Sequence, residues 1–153
     1  MIDRAKPLSR KITGLAAAAL VVVIFTLAGA QQPGKIYRLG FLSGGTLSGL
    51  KTTIEPFRQG LRDLGYIEGK NLTIEYRAAE GKFEQMPEII AELIGLGVNV
   101  IVTSGMPAVI AAKKATSTIP IVFAGVIDPV GSGIVASLTH PGGNSDRIIG
   151  YME

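Results

Sequence analysis

Short β-type apolar runs alternate with amphipathic helical segments along most of this chain, and that alternation limits what it can fold into more than any other feature. Residues 36–43 are mostly apolar and read as a strand, with Gly44, Gly45, Ser48 and Gly49 marking the loop that ends it. Ile54, Phe57, Leu61 and Leu64 recur at helical spacing with Arg58, Gln59, Arg62 and Asp63 between them, and Gly65 closes that helix. Residues 72–77 alternate and form a second strand. Met86, Ile89, Ile90, Leu93 and Ile94 then line one helix face opposite Glu84, Glu88 and Glu92. Pro87 is tolerated there because it falls in the first turn, where its missing N–H has no helical partner to lose. Gly95 and Gly97 end this helix.

The third strand, residues 98–103, is apolar enough for burial on both faces. Ser104-Gly105-Met106-Pro107 turns into an Ala-rich helix at 108–115, and residues 119–124 supply a fourth strand with Pro120 near its start. Asp128-Pro129 opens a last helix running through Leu138, and His140-Pro141-Gly142-Gly143-Asn144 stops it. Strands and helices in strict alternation, joined without long gaps, predict an α/β fold: a doubly wound parallel sheet with helices on both faces. Right-handed crossovers leave few topologies, and the flavodoxin-like strand order 2-1-3-4 is the expectation. In such sheets ligands sit beyond the carboxyl ends of the strands. Those ends are Ser43-Gly44-Gly45, Ala78-Ala79, Ser104-Gly105-Met106 and Ala124-Gly125-Val126, all small, hydroxyl-bearing or apolar.

Residues 1–30 read as a secretory signal peptide. A lead containing Asp3, Arg4, Lys6, Arg10 and Lys11 precedes an apolar run from Leu15 to Leu27 and then Ala28-Gly29-Ala30, the small-residue pattern that signal peptidase cleaves. The run is shorter than the roughly 20 residues a membrane span needs. An uncleaved anchor is the alternative; cleavage after Ala30 is the expectation. The segment also accounts for the basic character of the chain. Removing its four bases and one acid from totals of 15 and 12 leaves 11 of each, so the mature protein is near neutral. Nucleic-acid binding, which requires a basic face, is therefore not expected. The chain has no cysteine, which rules out disulfides, thiolate metal ligation, a cysteine nucleophile and the lipid-modified cysteine of a lipoprotein. The remaining 123 residues are enough for one domain with its own core, expected in the periplasm.

Little of the sequence points to catalysis. The single histidine, His140, lies in a Pro/Gly loop with no second histidine for a metal, and no G-x-S-x-G elbow presents a serine. No cofactor is expected. Gly131-Ser132-Gly133-Ile134-Val135-Ala136 spells G-x-G-x-x-A, but Asp128-Pro129-Val130 stands between the preceding strand and the glycines, and the sequence ends near where the ribose-binding acid should be, so the dinucleotide context fails. The first strand ends in Ser43 where a receiver-type phosphoacceptor would need Asp, and Asn71-Leu72-Thr73 is a glycosylation sequon only by spelling. Ser104-Gly105 has two readings: a helix N-cap, or N–H groups that hold an anionic ligand with help from the helix dipole. Ser43-Gly44-Gly45 has the same two, with the glycines in left-handed conformation or at a close ligand approach. Asp128 reads as a helix cap or as the acceptor for a ligand ammonium.

The stretch Gly60-Leu61-Arg62-Asp63-Leu64-Gly65-Tyr66-Ile67-Glu68-Gly69-Lys70-Asn71-Leu72 and the series Ile74-Glu75-Tyr76-Arg77, Thr116-Ser117-Thr118-Ile119-Pro120-Ile121-Val122-Phe123-Ala124, Asp128-Pro129-Val130-Gly131, Val135-Ala136-Ser137-Leu138 and Pro141-Gly142-Gly143-Asn144 resemble, in order and spacing, the ABC-transporter substrate-binding family typified by tryptophan and aromatic amino-acid binding proteins. The resemblance covers Tyr37 to Asn144. It implies a type I periplasmic-binding-protein fold, in which two similar lobes close over a small, amino-acid-like solute and dock on a membrane permease. Transferred position by position, it points to Ser43, Gly44, Ser104, Gly105, Met106, Val126 and Asp128 as ligand contacts. Residues 31–144 correspond to the first lobe of such a protein. Residues 145–153 diverge from the family pattern, and the expectation is of a chain truncated to one lobe. That would leave the interlobe face open to self-association. The alternatives to a solute receptor are a single-lobe exported interaction module, a gene fragment without transport role, and an exported α/β enzyme, which lacks a nucleophile–base pair and paired carboxylates at the strand ends.

Overall fold

The computed structural model describes residues 34–126, 128–137 and 148–151. The segment read from the sequence as a signal peptide, Leu138 and the stretch from His140 to Asn144 lie outside the described residues. Five strands, β1 (Tyr37–Ser43), β2 (Leu72–Ala78), β3 (Val100–Ser104), β4 (Ile121–Ala124) and β5 (Ile148–Tyr151), form one sheet in the order β2-β1-β3-β4-β5, and every neighbouring pair is parallel. The first four keep the order expected from the sequence. β5 extends the sheet beyond β4, pairing Ile121 with Ile148 and Ala124 with Tyr151, in a stretch to which the sequence reading assigns no element.

Helices cover both faces. α1 (Leu47–Asp63) buries Leu50, Ile54, Phe57 and Leu61 against Tyr37, Leu39, Phe41, Leu72, Ile74, Val100, Val102 and Val122. On the other face, α2 (Met86–Gly95) and α3 (Met106–Ala115) set Met86, Ile90, Leu93, Ala108, Val109 and Ala112 against Leu42, Ile101, Ile121 and Phe123. The alternation along β1, with Leu39 and Phe41 to one side and Leu42 to the other, is the period-two consequence of the pleat. Gly40 is required where α2 comes close, because a Cβ there would stand 3.1 Å from Leu93 Cδ1 and 3.4 Å from Val98 Cγ1.

The helix ends follow from local chemistry. α1 begins at Leu47, seven residues before the apolar stripe read from the sequence, because Thr46 caps it: its Oγ1 accepts the Gly49 N–H at 3.0 Å. At the other end Gly65 (φ +85) donates to Arg62 O and Tyr66 to Leu61 O, the paired bonds that satisfy the last carbonyls of a helix. α2 carries Pro87 in its first turn and follows a short 3₁₀ turn, Phe83–Gln85.

Two sequence expectations fail. No helix runs from Asp128 through the described residues up to Ser137; residues 129–133 form turns. An α-type bond from Ser132 N to Asp128 O is followed by a tighter turn bond from Gly133 N to Val130 O and not by further helix, because Gly133 adopts φ +72 and nearby Gly131 is also a weak helix former. The apolar residues Ile134 and Val135 still reach the core, pinned by Lys113 Nζ donating to Ile134 O at 2.7 Å. Second, neither Gly44 nor Gly45 has a positive φ, so the left-handed reading of those glycines is wrong.

Candidate functional site

Because β1, β3 and β4 are parallel neighbours, they deliver their final residues to one rim of the sheet. Ser43 and Gly44 follow β1; Ser104, Gly105 and Met106 follow β3; Val126 and Asp128 follow β4. All seven positions read from the sequence therefore lie along one rim, but they contribute differently. Ser43 is almost buried, and its Oγ accepts the Gly45 N–H at 3.1 Å, which ties up the loop. Val126 is 2 % exposed with its side chain in the core, so only its main chain can face a ligand. Asp128 is exposed and adopts φ +48, a conformation Asp tolerates better than most residues. It caps a turn and not a helix, its Oδ1 accepting Gly131 N–H at 2.8 Å. A Cβ at Gly131 would collide with that carboxylate.

The β3–α3 junction differs in kind. Ser104 is the exposed last residue of β3 and does not cap the helix. The N-cap is Gly105, with φ 80 and ψ 151, and among the described residues there is no side-chain cap hydrogen bond to the first turn. Gly105 N–H donates back to Ala124 O at 3.1 Å. The first-turn N–H groups of Met106 and Ala108 have no acceptor within the helix, and Pro107 has no N–H to offer. The α3 start thus presents oriented donors and the positive end of a helix dipole at the rim, with Ser104 beside them.

The β1–α1 junction carries groups that sequence reading missed. The β1–β2 pairing continues past the strand ends: Ala79 N donates to Ser43 O, Glu80 N to Gly45 O and Gly81 N to Gly44 O, at 2.9–3.1 Å. Glu80 adopts φ +51, a left-handed conformation costing a non-glycine residue about 1–3 kcal/mol. Its Oε1 accepts the N–H of Leu47, the first residue of α1, at 3.0 Å. The helix start is thus occupied by a carboxylate of the chain itself. Phe83 lies against Gly44: a Cβ on that glycine would be 3.1 Å from Phe83 Cε1 and 3.2 Å from Met86 Cε. Phe83 is 52 % exposed and Leu47 51 %, so apolar surface borders the same loops. No motif marks these residues; a turn-rich Glu80-Gly81 beside an aromatic is the only sequence signal.

A cavity lined by Leu61, Tyr66, Leu72 and Ile74 lies elsewhere, toward the start of β2. The arginines at its rim are engaged by acids: Arg58 with Glu68 at 2.9 Å and Arg62 with Glu55 at 2.9 Å. It is also remote from the carboxyl ends of the strands. Among the described residues, no group of three His, Asp or Glu side chains is placed to hold a metal.

Residues 41–148 match the family model described as ABC transporter substrate binding protein. A tyrosine-binding protein of Clostridioides difficile is 33% identical over 97 residues, 63% of this chain and 28% of the relative. A conserved domain protein of Vibrio cholerae superposes with TM-score 0.68 at 34% identity over 76% of this chain and 38% of that one. An ABC domain from Streptococcus pneumonia, solved in complex with L-Trp, gives TM-score 0.66 over the same shares; at 24% identity it speaks to the fold alone. The chain thus spans less than two fifths of the length of each of these relatives.

Proposed function

The chain belongs to the ABC transporter substrate-binding protein family, and from that membership we propose that it is the solute-binding component of an ABC importer, taking a small amino-acid-like solute at the carboxyl rim of its sheet. The observation that carries this reading is the uncapped start of α3, where Gly105 lacks a side-chain cap and leaves oriented N–H groups beside Ser104. Such a helix start suits a solute carboxylate. Ser43, Gly44, Met106, the main chain of Val126 and Asp128 complete the rim on this account. The tyrosine-binding relative supports an amino-acid ligand. The proposed setting is extracytoplasmic, with a membrane permease as the partner that receives the solute. The role is binding and not catalysis.

A thermal-shift screen against the common L-amino acids tests the proposal, since a ligand that prefers the folded state must raise the midpoint by mass action. The proposal expects at least one amino acid to raise it with saturating concentration dependence. A flat response to all of them at millimolar concentration would contradict it.

A further inference from the structure

We propose that the outer edge of β2 is a self-association surface: two copies of this chain join their sheets there, β2 antiparallel to β2 about a two-fold axis, with Glu75 of each copy opposite Arg77 of the other. This surface is a lateral edge of the sheet and does not depend on the solute-binding role proposed above.

β2 is an end strand, paired among the described strands with β1 alone. Tyr37 N–H donates to Asn71 O and Ala79 N–H to Ser43 O, so odd-numbered residues turn their main-chain groups toward β1. Leu72, Ile74, Tyr76 and Ala78 turn theirs outward. At Leu72 that edge is taken, because its carbonyl accepts the Gly69 N–H at 2.9 Å. The open part is Ile74, Tyr76 and Ala78. Their N–H groups have no hydrogen-bond partner among the described residues, and of their carbonyls only that of Tyr76 is covered, by Arg77 Nη1 at 2.9 Å. Such a row is a template for another strand.

Identical strands related by a two-fold axis perpendicular to the sheet run antiparallel, and only residues with outward groups can form the hydrogen-bonded pairs. With Tyr76 opposite Tyr76, Ile74 meets Ala78, and each of these pairs exchanges two N–H···O bonds. Glu75 and Arg77 then take the positions between, where opposed Cα atoms approach to about 4.5 Å and side chains are closest. Sliding one strand by two residues sets Glu75 against Glu75 and calls on the Leu72 groups that Gly69 occupies. Sliding it the other way sets Arg77 against Arg77. Like charges directly opposite are unfavourable, so the order of charge along the strand selects one register. The side chains are already placed for it. Arg77 Nη2 is held by Glu92 at 2.6 Å, on the face covered by α2, and Glu75 lies 3.8 Å from Nη1 on that same face. Pairing gives the Tyr76 carbonyl to Tyr76 N–H of the second copy and releases Arg77 Nη1 for Glu75 of that copy.

Sedimentation of the purified protein over a concentration series tests the surface. The wild-type protein is expected to form a dimer whose fraction rises with concentration. Glu75→Arg sets arginines opposite each other at both symmetric positions and is expected to raise the dimer dissociation constant by about tenfold or more. Arg77→Glu sets glutamates opposite each other and is expected to do the same. An equal mixture of the two variants restores Arg–Glu opposition and is expected to dimerise where neither variant does alone. Arg77→Glu also loses the Glu92 bond, so hydrogen exchange on the wild-type protein supplies a readout free of substitution: the amides of Ile74, Tyr76 and Ala78 are expected to exchange more slowly at high concentration than at low. A wild-type protein that stays monomeric up to millimolar concentration would overturn this inference, whether the edge then takes another extended segment or none. A dimer that Glu75→Arg leaves intact, or protection that rises with concentration only at other residues, would overturn it equally. None of these results bears on the solute-binding role.

Discussion

Gly105 sits at φ 80 and ψ 151, a region of backbone space that is essentially closed to residues with a Cβ. No heavy atom lies within 4 Å of where that Cβ would stand, so the obstacle is torsional and not steric crowding from neighbours. Gly105→Ala is therefore expected to destabilise the protein by about 1–3 kcal/mol in urea denaturation, and to weaken solute binding by moving the first N–H groups of α3. At this scale the sequence was legible where chemistry is local. Ser43, Gly44, Ser104, Gly105, Met106, Val126 and Asp128 all fall on one rim as their positions after strands imply. It was not legible where a side chain acts across the chain. The Glu80–Leu47 bond joins residues 33 apart, and Phe83 meets Gly44 only because β2 returns beside β1.

At the scale of the element, α1 shows how a cap can be hidden. Ser48 and Gly49 look like loop residues, yet Leu50 extends the buried stripe of Ile54, Phe57 and Leu61 one turn earlier, and Thr46 supplies the cap. Thr46→Ala is expected to cost about 1 kcal/mol by chemical denaturation, with a fold otherwise retained. The last predicted helix failed for the opposite reason: Asp128-Pro129 is a sound start signal, but the glycines that follow stop it within a turn. A second element-level device links β2 to α2, where the Arg77 guanidinium donates to Glu92 at 2.6 Å and holds that carboxyl below its ordinary value of 4.5. A carboxyl whose folded pKa is depressed stabilises the protein above the unfolded pKa and loses that contribution as pH falls through the folded value. Arg77→Met is therefore expected to differ from wild type near neutral pH and to converge with it in acid. An acid-unfolding series that shows the same gap at every pH would contradict this.

For the whole molecule, the alternation of strand and helix was sufficient to give a doubly wound sheet with β2-β1-β3-β4 order, because parallel strands joined by right-handed crossovers have few alternatives. β5 escaped notice because Ile148-Ile149-Gly150-Tyr151 is too short to carry a periodic signal and depends on the edge of β4 for its partners. The face under α2 and α3 is the larger core, and Leu93, fully buried there against Gly40, is one of its keystones. Leu93→Ala is expected to cost about 2–5 kcal/mol in equilibrium unfolding, as deletion of a buried leucine leaves a cavity that packing only partly closes. The central claim, that solute is held at the carboxyl rim, is tested most directly by titrating the ¹⁵N-labelled protein with L-tyrosine or L-tryptophan and mapping amide shifts. The account predicts shifts concentrated at residues 43–47, 80–83, 104–108 and 125–128. Shifts clustered instead around Leu61, Tyr66 and Leu72 at the far end of the sheet, or none at saturating ligand, would contradict it.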